Sequence, residues 1–501
     1  MTSPENSPLS HKVAHGAIWM VGMRLLVRFI GLISTVILAR LLLPEHFGLI
    51  ALASALIFVL ESMSDLRFEL AIIAQQETSD DDLNSAFTLN VLRGLGLAFL
   101  VSLLAFPYAG LMNEQNLAAP MLALSLLPLI DGFKNPAFII YEKSMVFSRE
   151  FTLQLSHKIF TLVVTITFAL LWRDHWALVA GLIAGSLART STSYILRPFR
   201  PRPTLRAWRR LAAFSGWLMA ANVVTALLHK MEFFLIGAML PVRTVGIYHV
   251  GSEIANMAAH ELAMPLKRAI FPALSSLADD PGKQYASFLR SIEMIALISL
   301  PAGIGLALVA EPFTLLILGD NWTDVIQVLA FLGPAGSIWA IAGLCDTLTL
   351  SRGQTRMIFN RELVKALYMA PIYFVAVWLG GLRGLLIAVP IVAVISLLVY
   401  LHMVKRQTGK PMLLPLFGAW RSMFAVAAMS IALLSFSHWL GSAEHALPPA
   451  VMLITLVTVG AAVYIACHLV LWSIAGKPDG VERFLIDFVN SRRQGERQAN
   501  P

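Results

Sequence analysis

The chain has 501 residues, 57% of them apolar or aromatic and only 14% charged, with a net charge of +8 and a mean hydropathy of +0.72. A soluble domain averages about a quarter charged residues, so a soluble multidomain enzyme, a disordered chain and a secreted disulfide scaffold are excluded. The apolar segments are solid and of helix length rather than short and alternating, which also excludes an outer-membrane barrel.

Taken in order, the apolar runs predict helices over 15–40, 46–73, 85–107, 117–140, 150–172 and 176–196. After a basic loop at 197–211 come 212–239, 246–274, 288–310, 323–350, 361–379 and 384–404. Two more follow at 415–438 and 449–473, and a polar tail occupies 476–501. The total is about fourteen spans, each near the roughly 20 residues a bilayer requires. The second span is weakest in its last turn, where Asp65, Arg67 and Glu69 interrupt it. The first run is too long for a signal h-region and no cleavage site follows, so it reads as a retained helix.

Lys and Arg fall on alternate connections. Arg197, Arg200, Arg202, Arg206, Arg209 and Arg210 share one side with Lys405, Arg406 and Lys410. The opposite connections hold little beyond Arg173, Arg243 and Arg383. This bias predicts an even number of spans with both termini in the cytoplasm. It also accounts for the basic charge without nucleic acid. Cys345 and Cys467 are far apart in apolar segments, so neither a disulfide framework nor a metal site is expected.

Leu43-Pro44-Glu45-His46-Phe47-Gly48-Leu49 has a counterpart in Leu240-Pro241-Val242-Arg243-Thr244-Val245-Gly246-Ile247. In each a long helix ends, proline and glycine make the turn, and a second helix follows. The repeat predicts an all-α polytopic membrane protein in two parallel-repeat lobes of about six helices each, plus two appended helices. The lobes are 1–196 and 212–404, and 405–475 is the appended pair.

The hairpin from Ile37-Leu38-Ala39-Arg40 through Pro44 and Phe47-Gly48 resembles the opening of bacterial polysaccharide flippases. Ile236-Gly237, Gly246-Ile247-Tyr248, Phe271-Pro272-Ala273-Leu274-Ser275, Leu318-Gly319-Asp320-Asn321-Trp322 and Ser351-Arg352-Gly353-Gln354 agree in order and spacing. Over about residues 13 to 475 the chain is similar to the polysaccharide transporter (Wzx-like) branch of the multidrug/oligosaccharidyl-lipid/polysaccharide exporter superfamily. The resemblance implies a flippase moving undecaprenyl-diphosphate-linked oligosaccharide across the bacterial inner membrane by alternating access. It implies no cofactor, and a polysaccharide polymerase is a conceivable partner.

Charge inside a membrane helix is costly and points to function or to pairing. Arg24 and Arg28 share a face of the first helix, facing either a cavity or the headgroups. Arg93, Arg189, Lys267 and Arg268 join them as expected diphosphate ligands, since Arg meets phosphate bidentately and Lys as a point charge. Lys230 and Glu232 serve either cation coupling or pairing with neighbouring helices. Glu253 and His260, with Arg268 beyond, fall roughly along one face if 246–274 is a single helix. Asp131, Lys134, His157, Lys158 and Asp346 complete the intramembrane set. No phosphate loop, nucleophile elbow or metal-ligand cluster is present, so transport is expected rather than catalysis. The rivals are a peptidoglycan-precursor flippase and a cation-coupled small-molecule antiporter of the same superfamily.

Overall fold

The computed structural model describes residues 26–65, 72–73, 78–144, 146–208, 216–261, 263–441 and 448–477. Among these residues every regular element is a helix. Helix α1 covers 26–41 and turns directly into α2 (Pro44–Ser64), with Pro44 in the first turn, where the missing N–H costs nothing. Helix α3 (Asp80–Leu111) opens with a capping box: the Asp82 amide donates to Ser79 Oγ, and the Ser79 amide to Asp82 Oδ2 at 3.1 Å. Then come α4 (Ala118–Leu124), α5 (Leu126–Gly132), α6 (Ile139–Lys143), α7 (Phe147–Trp172) and α8 (Trp176–Leu196). They are followed by α9 (Gly216–Met239), α10 (Val242–Asn256), α11 (Met264–Ser275), α12 (Pro281–Leu308) and α13 (Ala310–Ile317). The chain continues with α14 (Val325–Ser351), α15 (Thr355–Thr408), α16 (Leu414–Gly418), α17 (Trp420–Gly441) and α18 (Pro449–Ile474).

Eight of the described helices are long and apolar enough to cross a membrane, one of them the 53-residue stretch Arg356–Thr408. At 1.5 Å per residue that stretch is about 80 Å long, over twice a hydrocarbon core of about 30 Å. It bends at Gly381, whose φ of 55° and ψ of −137° are open to glycine alone. The bend falls in the predicted gap between 379 and 384.

Two predicted spans are not single helices. The run 117–140 divides at Ser125 and again after Gly132, ending in a 3₁₀ turn at Pro136–Phe138. Pro128 has no N–H for the Leu124 carbonyl, and the Ser125 hydroxyl donates back to Leu122 O at 2.7 Å. The run 246–274 is interrupted by a π-turn at Met257–Glu261 and restarts at Met264, with proline in its first turn. Glu253, His260 and Arg268 therefore do not lie on one straight helix, and their spacing no longer defines a common face. The second span ends at Ser64, with Asp65 as its C-terminal cap. Arg67 and Glu69 lie outside the described residues.

By packing, the chain divides into one compact unit of 1–250 with 373–382 and another of 251–372 with 383–501. In the first, α7 and α8 meet through Gly181 and Gly185, which leave room for Thr165 and Thr161. In the second, Gly303 of α12 and Gly333 of α14 each face the other's carbonyl oxygen, so no side chain could separate the two backbones. Its core is Phe288, Ile292 and Ile295 against Leu344, Cys345, Leu348, Leu401 and Val404. A satellite cluster of Val309, Met429, Leu433, Leu456 and Tyr464 joins α17 and α18 to α12, where the Tyr464 hydroxyl donates to Leu297 O at 2.9 Å. Outward faces remain apolar: Phe99, Leu103 and Phe106 of α3 are 71%, 61% and 68% exposed. On a soluble protein such a stripe would be an aggregation site, whereas lipid covers it at no cost.

Candidate functional site

The first unit holds a charged cavity of about 210 Å³, built where α3 crosses α5. The crossing is close because both helices carry glycine there. A Cβ on Gly94 would meet Pro128 O at 2.5 Å, and one on Gly132 would meet Asn90 O at 2.7 Å. Each glycine is preceded by a charged residue, Arg93 and Asp131, so the contact that joins the backbones also brings these two side chains to one cavity wall.

Helix α8 supplies the third charge. Gly181, Gly185 and Arg189 recur every four residues and form one row along the helix. Arg189 donates to Asp131 Oδ2 at 2.7 Å, and the Ser186 hydroxyl donates to Asp131 Oδ1 at 2.7 Å. Arg93 turns the other way: its Nε donates to Ser64 Oγ at 3.0 Å and its terminal nitrogen to Glu61 O at 2.9 Å. It thereby satisfies one carbonyl group and a hydroxyl at the C-terminal end of α2, where a cation also suits the helix dipole. Lys134, whose ammonium lies 5.8 Å from the Phe138 ring, and Glu61 complete the lining. Among the described lining residues three cations thus face two carboxylates. Asn135 pins the turn beneath them, its amide group donating to Ser193 O at 3.1 Å and to Arg197 O at 2.6 Å.

The other expected site residues fall elsewhere. Arg24 lies outside the described residues, and Arg28 is exposed on α1. Lys230 sits between two aromatic faces, 5.1 Å from both Phe58 and Phe233. Glu232 shares a hydrogen bond with Tyr248, which is wholly buried. Glu253 is exposed on α10. Lys267 of α11 is partly buried, its ammonium filling the space left by the absent Cβ of Gly343. His260 is on the π-turn and Arg268 on α11, with both side chains outside what is described.

Sequence reasoning missed Glu61, which is a lone charge at the end of an apolar run with no periodicity to mark it. It named Asp346 but missed its partner Arg361, and it missed Glu362, Arg421 and Glu293, which form the other buried ion pairs described in the second unit. Arg361 of α15 pairs with Asp346 of α14 and with Glu362, and its guanidinium lies 4.2 Å from the Tyr400 ring. Arg421 of α17 pairs with Glu293 of α12. Arg421 is a single charge in an apolar stretch, whereas Arg361 and Glu362 sit in a charged segment with Arg356 and Lys365 that reads as a helix end.

Residues 37–327 match the family whose members are described as "Polysaccharide biosynthesis protein". The chain belongs to that family. The resemblance carried by the two hairpins is thereby borne out. Among its relatives, the lipopolysaccharide biosynthesis protein WzxC of Escherichia coli (strain K12) is 24% identical over 413 residues, covering 80% of this chain and 82% of WzxC. The succinoglycan biosynthesis transport protein ExoT of Rhizobium meliloti (strain 1021) is 24% identical over 401 residues, covering 80% and 81%. The fold is that of a solved lipid II flippase, MurJ in its inward closed conformation. MurJ superposes with a TM-score of 0.74 at 13% identity, over 91% of this chain and 99% of its own. The all-α polytopic membrane architecture read from composition is therefore the fold of this family member.

Proposed function

We propose that the protein is a flippase carrying undecaprenyl-diphosphate-linked oligosaccharide repeat units across the bacterial inner membrane, with both termini in the cytoplasm. The observation that carries the reading is the cavity lined by Arg93, Lys134 and Arg189. Among the described lining residues cations outnumber carboxylates, and the cavity lies among membrane-crossing helices, where charge points to function. Arg189 retains a buried Nε–H without an acceptor, a donor ready for a phosphate oxygen. The names of WzxC and ExoT supply the polysaccharide half of the reading, and that of MurJ the lipid-linked half.

In this reading Arg93 and Arg189, with Arg24, Arg28, Lys267 and Arg268 as further contacts, attract the diphosphate while the glycan occupies water and the lipid tail stays in the bilayer. Alternating access comes from rocking of the two repeat lobes, 1–196 and 212–404. Lys230, Glu232, Glu253 and His260 serve coupling or pairing. A polymerase acting on the emerging repeat unit is the natural partner.

Deletion in the native host, followed by analysis of lipid-linked oligosaccharides and surface polymer, tests the assignment. Complete repeat units stalled on the cytoplasmic leaflet with loss of surface polymer are expected. Truncated lipid-linked glycans would make the protein an assembly enzyme, and an arrest of peptidoglycan precursors would favour the activity for which MurJ is named.

A further inference from the structure

At the end of the first unit that the charge bias assigns to the cytoplasm, two arginines gather about one aromatic ring. Arg149 sits in the first turn of α7 and Arg197 at the end of α8. Their guanidinium carbons lie 5.9 Å and 5.4 Å from the centre of the Tyr141 ring of α6. The ring is held from several sides. Its hydroxyl donates to Leu196 O at 3.0 Å, and the Val146 amide donates to the Tyr141 carbonyl at 2.8 Å. Phe138, itself buried, meets the ring edge-on at 5.4 Å between centres. Arg197 is fixed through its own carbonyl, which accepts at 2.6 Å from the side-chain amide of Asn135, a residue of the charged cavity.

Among the described residues neither guanidinium makes an ion pair or donates a hydrogen bond. Glu150, next to Arg149, accepts from Gln154 on Oε1 at 2.8 Å, and its Oε2 has no hydrogen-bond partner. Arg149 is exposed and Arg197 half-buried, so a ligand can reach both. Two like charges drawn to one ring repel each other, and the negative face of the ring offsets only part of that. A guanidinium and a phosphate joined by two parallel hydrogen bonds put carbon and phosphorus about 4 Å apart. The two guanidinium carbons, each within 6 Å of one ring centre, are at most about 11 Å apart. One diphosphate therefore has the span to meet both, with one phosphate on each arginine.

We propose that Arg149 and Arg197, organised by Tyr141, form a diphosphate-binding site at the cytoplasmic end of the first unit, separate from the cavity of Arg93 and Arg189. The proposal rests on the flippase reading and adds to it a first station for the headgroup. Asn135 joins the two places, bonding Arg197 on one side and lining the cavity on the other. A headgroup docked there keeps its glycan in water, and it enters the cavity by exchanging one pair of guanidinium partners for another. The group recognised is the diphosphate itself, which a lipid-linked glycan carries and inorganic diphosphate also supplies.

The test treats the full chain in phosphatidylcholine nanodiscs with phenylglyoxal and follows each arginine by peptide mass spectrometry. Undecaprenyl diphosphate at about ten times its dissociation constant should slow modification of Arg149 and Arg197 about tenfold. Arg206, whose side chain is 81% exposed, should react at an unchanged rate. Protection by inorganic diphosphate as well would support recognition of the bare group, and protection by the lipid alone would support a membrane-borne source. Tyr141→Leu should abolish the protection, whereas Tyr141→Phe, which keeps the ring, should retain it and guards against a fold defect. Arg149→Gln should leave Arg197 unprotected, and Arg149→Lys should restore part of the effect, as an ammonium lacks the bidentate grip. Equal protection by phosphatidylglycerol at the same mole fraction, or equal protection of Arg206, would overturn the proposal, since any headgroup would then serve. A wild type that binds undecaprenyl diphosphate with Arg149 and Arg197 unprotected would overturn it and leave the flippase reading standing. Absence of lipid binding by the wild type would overturn both.

Discussion

Gly246 stands against the Pro44 carbonyl so closely that a Cβ on the glycine would overlap the oxygen. Gly48 stands in the same way to the carbonyl of Val242, next to Pro241. The two hairpins that look alike in the sequence thus pack on each other reciprocally, each proline turn against the other's glycine. Glu45 and Arg243 close the contact with an ion pair of 3.1 Å. Replacing Gly246 or Gly48 with valine should force the backbones apart and cost about 1–3 kcal/mol. A lower Tm in detergent checks it. Glu45→Ala should matter far less, under about 1 kcal/mol, because both ends of that pair are more than a third exposed.

Arg361 is held by two acids. Arg361→Ala would strand Asp346 and Glu362 in a buried setting, a loss of about 3–5 kcal/mol for a broken buried pair. Arg361→Met combined with Asp346→Asn and Glu362→Gln should recover much of it, since no lone charge remains. Thermal unfolding of the single and triple variants separates these outcomes. A triple variant no better than the single would mean that the ring contact with Tyr400, not the charge, dominates.

Arg189 and Asp131 allow stability and binding to be distinguished. Arg189→Ala leaves Asp131 unpaired and should reduce both folding yield and affinity for undecaprenyl diphosphate. Arg189→Ala with Asp131→Ala should restore the yield without restoring the affinity. Arg189→Lys should keep the fold and lose part of the affinity, as an ammonium cannot make the bidentate contact. Recovery of affinity in the double alanine variant would remove Arg189 from the site.

Asp280 caps α12 outside the membrane-crossing stretch. The Lys283 amide and ammonium hold its carboxyl below the ordinary carboxylate value, so ionised Asp280 is the form that folding prefers. Its contribution is present above the unfolded value near 3.8 and fades as the pH falls through the lower folded one. Asp280→Asn keeps a capping oxygen without the charge. The variant should therefore be slightly less stable than wild type at neutral pH, lose less thermal stability on the acid side, and converge with wild type there.

The apolar runs alone determined that this is a helical membrane protein, because only internally hydrogen-bonded helices satisfy such a backbone in lipid. Local chemistry was equally legible where proline acts on its own residue, as at Pro44, and the gap left between 379 and 384 is where Gly381 bends the chain. The broken helices at 125–136 and 257–261 were less so, since a proline in a solidly apolar run reads as a kink or an end with equal ease. The cavity lay beyond sequence reasoning for a different reason. Arg93 and Asp131 are isolated charges on separate helices, and only the glycine crossing at 94 and 132 turns both toward one space. Glu61 has no periodicity in its own helix to announce it. Hydrophobicity is a property of each segment and can be read along the chain. Which charges share a cavity is a property of how segments cross, and that was decided by the tertiary structure.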